Sequence, residues 1–283
     1  MGWVWRKLLL NSDADIAALP LYNPTMRPLV LAVCLLLSLF ACTGRAGMKI
    51  YYLRHAESGA NVEHQWKDVP RDQWPVYVGN ANAFSPKGES QIPGVVAKLK
   101  QMDFDFIAVS PLWRARHTVL PYLEAQERTA EVWPELAEFR ALRKGETLPA
   151  VLPPPNPDLF GGGAVIDLPL EERRYFTVRP GVSKLCLPSN DAVQLESDRR
   201  ALTARVIDLL RARFAGTGQS VLLVGHGISG HRLASQLTGE AGIMEEGRHI
   251  HNASLWMAEE QPDGSFRLEV FNDKPWVPGE AVN

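Results

Sequence analysis

Lys49-Ile50-Tyr51-Tyr52-Leu53-Arg54-His55-Ala56-Glu57-Ser58 is the stretch on which the fold turns. Its opening Ile, Tyr and Leu residues predict a short buried strand. The run then breaks into polar residues, with Gly59 close behind. An arginine and a histidine side by side at the carboxyl end of a strand pack poorly against a core. Open α/β sheets place their ligand sites along that edge. Taken alone, the pair reads better as part of an ordinary surface loop. Three further stretches downstream ask for the same ligand and change that balance.

Residues 58–84 form a polar, Trp-containing loop with Pro70 and Pro75. It is too long for a plain connection, and loops of that size are usually functional or mobile. Ser85-Pro86 opens a helix, with Ser as cap and Pro at the first helical position. Ile92, Val95, Val96 and Leu99 share one of its faces, although Pro93 and Gly94 interrupt the pattern. Residues 104–109 read as a second buried strand ending at Ser110-Pro111, and residues 113–127 as the helix after it. Residues 131–133 predict a short strand. Residues 140–190, with Pro153-Pro154-Pro155 and Gly161-Gly162-Gly163, read as an insertion of little regular structure. Residues 191–214 give a long amphipathic helix. Residues 220–224 are the most strand-like run, followed by Gly225-His226-Gly227 and a helix through Leu237. Residues 253–258 and 266–271 pair as a hairpin across Pro262-Asp263-Gly264. Strands alternating with helices predict an α/β fold, a three-layer α/β/α sandwich on a mixed, mostly parallel sheet, from residue 48 onward.

A chain of 283 residues, 46% hydrophobic and 22% charged, buries an ordinary globular core. Its net charge of -2 indicates no nucleic-acid partner, so any anion chemistry must come from a local cluster. Residues 1–47 form an N-terminal extension of different character. Within it, Leu-Val-Leu-Ala-Val-Cys-Leu-Leu-Leu-Ser-Leu-Phe-Ala-Cys, residues 29–42, follows Arg27. This is short for a membrane span, which needs ~20 apolar residues. It suits the core of a signal peptide, for which roughly 7–15 residues are usual. Its end, Leu39-Phe40-Ala41-Cys42, resembles a bacterial lipobox. The expectation is a periplasm-facing lipoprotein anchored to the membrane through Cys42, with Met26 favoured over Met1 as the start. A start at Met48 would instead give a cytoplasmic protein. Cys186 is the lone cysteine after residue 47, so the folded part has no internal disulfide.

Three predicted strands end in related side chains: Arg54-His55, then Ser110 with Arg114 in the following helix, then His226. If the strands are neighbours, two histidines and two arginines meet at one edge. A pair of guanidiniums is costly unless it faces an anion, and the arginine fork matches phosphate oxygens. The helix starts after Ser110 and Gly227 add backbone N–H groups of the same sense. A dianionic phosphoryl group fits this edge, and a neutral histidine can attack phosphorus.

These residues carry a resemblance to the histidine phosphatase superfamily, the phosphoglycerate-mutase-like proteins. Arg54-His55-Ala56 resembles the family's Arg-His-Gly signature, with Ala for the more frequent Gly. Ser85-Pro86-Lys87-Gly88-Glu89-Ser90-Gln91 is similar to its Leu-Thr-x-x-Gly-x-x-Gln helix start. Ser110-Pro111-Leu112-Trp113-Arg114-Ala115-Arg116-His117-Thr118 matches its Ser-x-x-x-Arg-Ala-x-x-Thr element, and Gly225-His226-Gly227 its second-histidine motif. The resemblance implies a phosphatase acting on a phosphomonoester, either a small molecule or a phosphoprotein, with no cofactor and no metal. It implies that His55 is the nucleophile and that Arg54, Asn61, Arg114 and His226 bind the phosphoryl oxygens. Leu136-Ala137-Glu138 fits the family's Leu-x-Glu, which makes Glu138 the acid and Glu135 the runner-up.

Other readings are open to the same residues. A mutase would share the site, but the family's mutases carry Asn-Glu-Arg-His-Tyr-Gly where this chain has Leu136-Ala137-Glu138-Phe139-Arg140-Ala141. A non-catalytic phospho-ligand binder is the alternative from another class. Gly225 to Gly230 satisfies Gly-x-Gly-x-x-Gly, yet the residues before Glu245 and Glu246 do not form the second strand a dinucleotide fold wants. Gly227 stands where an α/β-hydrolase carries its nucleophilic Ser. His249-x-His251 lacks a companion ligand pattern for a metal, and His64, His117 and His231 read as surface or core histidines.

Overall fold

The computed structural model describes residues 46–138, 165–182, 192–240, 243 and 249–278, with side chains of 192–195 left aside. All fall within the compact unit Ala46–Asn283. The signal-like residues 29–42, Cys42, Cys186, Glu245 and Glu246, and most of the 140–190 insertion lie outside the described residues.

The predicted elements appear in order. Strands β1 (Lys49–Arg54), β2 (Phe106–Val109), β3 (Ala130–Val132), β4 (Phe176–Val178), β5 (Ser220–Gly225), β6 (Leu255–Glu260), β7 (Phe266–Phe271) and β8 (Lys274–Pro275) join one sheet. Their order is β4-β3-β2-β5-β1-β6-β7-β8. From β4 to β1 every pairing is parallel, whereas β6, β7 and β8 are antiparallel. The mixed, mostly parallel sheet is as expected, and the predicted hairpin is β6–β7, with Gly264 at φ +82° in its turn. A left-handed residue there suits glycine, which has no Cβ to clash.

Two segments add detail to the expected pattern. The polar loop after Arg54-His55 holds a short helix α1 (Gly59–Val62) and 3-10 turns at Glu63–Trp66 and Arg71–Gln73. The insertion, expected to have little regular structure, contributes the short strand β4 at the sheet edge. Phe176-Thr177-Val178 does alternate, but three residues are too few for the pattern to stand out from its irregular surroundings in a sequence reading.

Each central strand sends alternate side chains to opposite faces, as the two-residue period of a strand requires. On one face Ile50, Tyr52, Ala108, Val221 and Leu223 pack under helices α4 (Ala192–Phe214) and α5 (Gly227–Thr238), which contribute Val206, Leu210, Leu233 and Leu237. On the other, Leu53, Ile107, Val109, Leu222 and Val224 pack under α2 (Pro86–Leu99) and α3 (Trp113–Ala125), which contribute Val95, Leu99, Val119 and Leu123. Burying each such side chain contributes roughly 1.5–3 kcal/mol, and this two-sided burial fixes the strand register. Helix α2 starts as predicted, with Ser85 Oγ accepting the Gly88 N–H at 3.0 Å and Pro86 at the first position. It runs through Pro93 without ending.

Candidate active site

Strands β2, β5 and β1 are adjacent and parallel, so their carboxyl ends share one edge. Arg54 lies level with Gly225, and Val109 with Val224. His55, Ser110 and His226 therefore leave the sheet side by side. The backbone N–H groups of His55 and Ser110 still donate to Gly225 and Val224 carbonyls, at 2.9 Å each, which holds the exit geometry.

The His55 ring is 1% exposed. Its Nδ1 lies 2.7 Å from the Ala56 carbonyl oxygen. A carbonyl only accepts, so the proton belongs on Nδ1 and the lone pair on Nε2. Arg114 Nε donates to that Nε2 at 3.1 Å. Burial, and then the charges of Arg114 and Arg54, hold the His55 pKa well below 6.5, so the ring is neutral. His226 is fully buried, with its ring centroid 5.1 Å from that of His55. Its Nε2 pairs with Ser110 Oγ at 2.7 Å, and its Nδ1 has no partner. Burial, Arg114, His55 and Arg54 also push its pKa well below 6.5.

Arg54 is anchored by Nη1 to the Ile250 carbonyl at 2.5 Å, while its Nε is buried without a partner. Burial lowers its pKa, and Glu138 acts in the opposite sense. Glu138 accepts from Arg114 Nη2 at 3.5 Å and, through Oε1, from the Ile228 N–H at 3.0 Å in the first turn of α5. Glu135, three residues earlier, is turned elsewhere: it is buried and its Oε1 accepts from Arg179. The structure thus brings Arg54, His55, Arg114, His226 and Glu138 together and leaves Glu135 off the Arg114 side. Asn61 lies next to this group. Its Oδ1 accepts from Ser58 N–H at 2.9 Å, Ser58 Oγ at 3.0 Å and Asn252 Nδ2 at 3.4 Å. Those bonds commit its oxygen and leave its amide N–H groups as the donating end.

Several supporting residues are ones the sequence reading passed over. Tyr52 accepts the His226 N–H at 2.7 Å through its hydroxyl, which also contacts the His226 carbonyl and Ser229 Oγ. It reaches there because position 225 is glycine; a Cβ on that residue would collide with the phenol. Asn252 Nδ2 donates to the His55 carbonyl at 3.0 Å. Ala253, at φ +61°, gives its N–H to the carbonyls of both Arg54 and His55. A non-glycine residue in that conformation carries a cost that tertiary contacts must offset. Thr118, four residues after Arg114, accepts the Ala56 N–H at 2.9 Å and donates to the Arg114 carbonyl at 2.6 Å. Its place in the Ser-x-x-x-Arg-Ala-x-x-Thr element does not reveal that it ties the histidine loop to α3. Glu172, from the 3-10 turn Leu170–Glu172, accepts from Arg116 Nε at 2.6 Å and pairs with His117 at 3.0 Å, clamping α3 from outside the site. No local sequence signal links residue 172 or 252 to the histidine.

Chemically, the edge offers a neutral imidazole lone pair flanked by two guanidiniums, a second neutral imidazole and a helix N-terminus. Such a setting suits attack on an anionic electrophile, because the fixed positive groups are placed before the reaction starts. Among the described residues no group of three or more His, Cys, Asp or Glu side chains is arranged to hold a metal ion.

Residues 50–144 match the family model described as Histidine phosphatase superfamily (branch 1). The fold is shared with a protein from Escherichia coli assigned as an alpha-ribazole-5'-P phosphatase. That likeness has 17% identity, covers 81% of this chain and 100% of the other, and has a TM-score of 0.51. It is shared as well with an ecdysone phosphate phosphatase from Bombix mori solved with tungstate, at 15% identity, 83% and 97% coverage and a TM-score of 0.50. No curated protein matches the chain.

Proposed function

We propose that the chain is a phosphoric monoester hydrolase working through a phosphohistidine on His55, a reading supported by the match of residues 50–144 to the histidine phosphatase superfamily model. One observation carries this reading: the Nδ1 proton of His55 is held by the Ala56 carbonyl, which leaves Nε2 as a lone pair among Arg54, Arg114 and His226. Both similar structures bear phosphatase names, in line with that reaction class.

In the first step Nε2 attacks phosphorus. The N–P bond forms as the ester P–O bond breaks, and the leaving oxygen takes a proton from the Glu138 carboxyl group. Arg54, Arg114, His226 and the Asn61 side-chain amide N–H groups hold the phosphoryl oxygens and spread the developing charge, the general logic of phosphoryl transfer. In the second step water attacks phosphorus and gives a proton to the Glu138 carboxylate. The N–P bond breaks, inorganic phosphate leaves, and His55 returns with its proton still on Nδ1. Glu138 serves once as acid and once as base.

The test is turnover of 4-nitrophenyl phosphate by the wild type and by His55→Ala. The variant is expected to be inactive with an unchanged circular dichroism spectrum, and brief reaction with labelled substrate is expected to leave acid-labile phosphate on His55 and not on Ser58 or Ser110. Near-wild-type turnover by His55→Ala would overturn the reading.

A further inference from the structure

Glu135 and Glu138 are three residues apart and line one small cavity together with Arg199, Leu202, Thr203, Ile228, Ser229 and Arg232. They leave it in different directions. Glu138 reaches Arg114 and the Ile228 N–H. Glu135 is 7% exposed and is bound through Oε1 by Nη2 of Arg179, the residue that follows β4. Arg179 is fixed in turn, because its backbone N–H donates to Val132 at 3.1 Å and its guanidinium lies 6.0 Å from the Trp133 ring centroid. The pair therefore spans from the sheet edge to the 3-10 turn Pro134–Leu136, immediately before Glu138.

For packing alone this is a poor choice. Glu135 is buried and Arg179 partly buried, and each keeps a buried polar atom without a hydrogen bond, Oε2 on Glu135 and Nε on Arg179. A buried ion pair with unmatched polar atoms adds little net stability compared with apolar residues of the same volume. What it does provide is direction. Pulling one carboxylate of the segment toward Arg179 leaves the other to face the reacting edge, and it sets the turn that aims it. Without that pull, Glu135 would be an unpaired carboxylate in the cavity that Glu138 and the start of α5 also line.

We propose that Arg179 and Glu135 form a positioning pair for Glu138: Arg179 holds Glu135 away from the site, and so orients the acid that protonates the leaving oxygen. The inference rests on the acid role proposed above for Glu138. Neither partner touches substrate, so neither is a catalytic residue. Glu138 also acts as base in the second step, which is the same for every ester, so the effect is read in kcat/KM, which reports the steps through departure of the leaving group and there falls on its protonation. It is therefore large where the leaving oxygen needs a proton in the transition state and small where it does not.

The experiment compares 4-nitrophenyl phosphate, whose leaving group departs readily as an anion, with benzyl phosphate, whose leaving group does not. Glu138→Gln, Arg179→Met, Arg179→Lys and the double variant Glu135→Leu/Arg179→Met are assayed on both, and the losses are compared in kcat/KM. The double variant removes the buried charges as a pair, so it retains a folded chain if Arg179→Met alone does not. General acids contribute about 10²–10⁴-fold, so Glu138→Gln is expected to lose at least about 10²-fold on benzyl phosphate and far less on the nitrophenyl ester. Arg179→Met and the double variant are expected to repeat that selectivity, losing about tenfold or more on benzyl phosphate and under about threefold on the nitrophenyl ester. Arg179→Lys, which keeps the charge, is expected to recover part of the loss. If Glu138→Gln shows the selectivity while the Arg179 variants lose both substrates equally or neither, the positioning role is overturned and the acid assignment stands. If Glu138→Gln itself shows no selectivity, the acid assignment fails and the inference falls with it.

Discussion

Arg114 donates its Nε hydrogen to Nε2 of His55 across 3.1 Å, so the ring nitrogen that carries the lone pair is covered by a guanidinium. The same guanidinium reaches Glu138 with Nη2 at 3.5 Å. One arginine thus touches the proposed nucleophile and the proposed acid at once. An arriving phosphoryl group would engage this fork and uncover the lone pair at the place where it is needed.

That arrangement predicts a severe effect for Arg114→Lys. Lysine keeps the charge but has no planar fork and no Nε donor at that position. The expected loss in kcat/KM on 4-nitrophenyl phosphate is about 2–4 kcal/mol of transition-state stabilisation, comparable to removal of another preorganised donor. Steady-state kinetics check it; activity within about threefold of wild type would mean that charge alone suffices.

Thr118→Val probes the tie between the histidine loop and α3. Valine matches the shape but leaves the buried Ala56 N–H without the acceptor it now has at 2.9 Å. An orphaned buried donor costs about 1–3 kcal/mol, and the urea midpoint is expected to fall accordingly. The Ala56 carbonyl orients the His55 ring, so activity is expected to fall further than the stability change alone explains.

A third expectation concerns pH. His231 Nε2 accepts the Ile250 N–H at 2.9 Å, and the Ile250 carbonyl accepts from Arg54. Burial, then His249 and Arg54, push the His231 pKa from 6.5 to about 4. Above 6.5 this residue is neutral in both folded and unfolded chains and makes no difference to stability. As the pH falls from 6.5 toward about 4, the unfolded chain binds a proton that the folded one refuses, so stability is lost across that window. His55 and His226, also held neutral, act with the same sign below 6.5. Urea unfolding between about pH 7 and about pH 5 is expected to show this decline. In His231→Gln the slope should be shallower by up to about 1.4 kcal/mol per pH unit, one proton's worth.

The sequence by itself determined the sheet's central strands, the helix starts and the ordered set of polar residues at the strand ends. Those features are local. A strand buried on both faces reads as an unbroken apolar run, as in Val221 to Val224, and Ser85-Pro86 announces a helix whatever surrounds it. The parallel alignment of β2, β5 and β1 then carries Arg54, His55, Ser110 and His226 to a single edge. Only the tertiary structure decided the rest. Glu135 and Glu138 are chemically alike and three residues apart. Glu138 meets Arg114 while Glu135, in the 3-10 turn, is held by Arg179, a residue that follows a strand only three residues long. The His55 tautomer depends on the orientation of its neighbour's carbonyl, and the His226 backbone depends on a tyrosine that could reach it only past a glycine. Periodicity records which face of the chain is apolar. The donor that a buried carboxylate or imidazole finds is set by distances between segments far apart in sequence, and no window of residues contains that information.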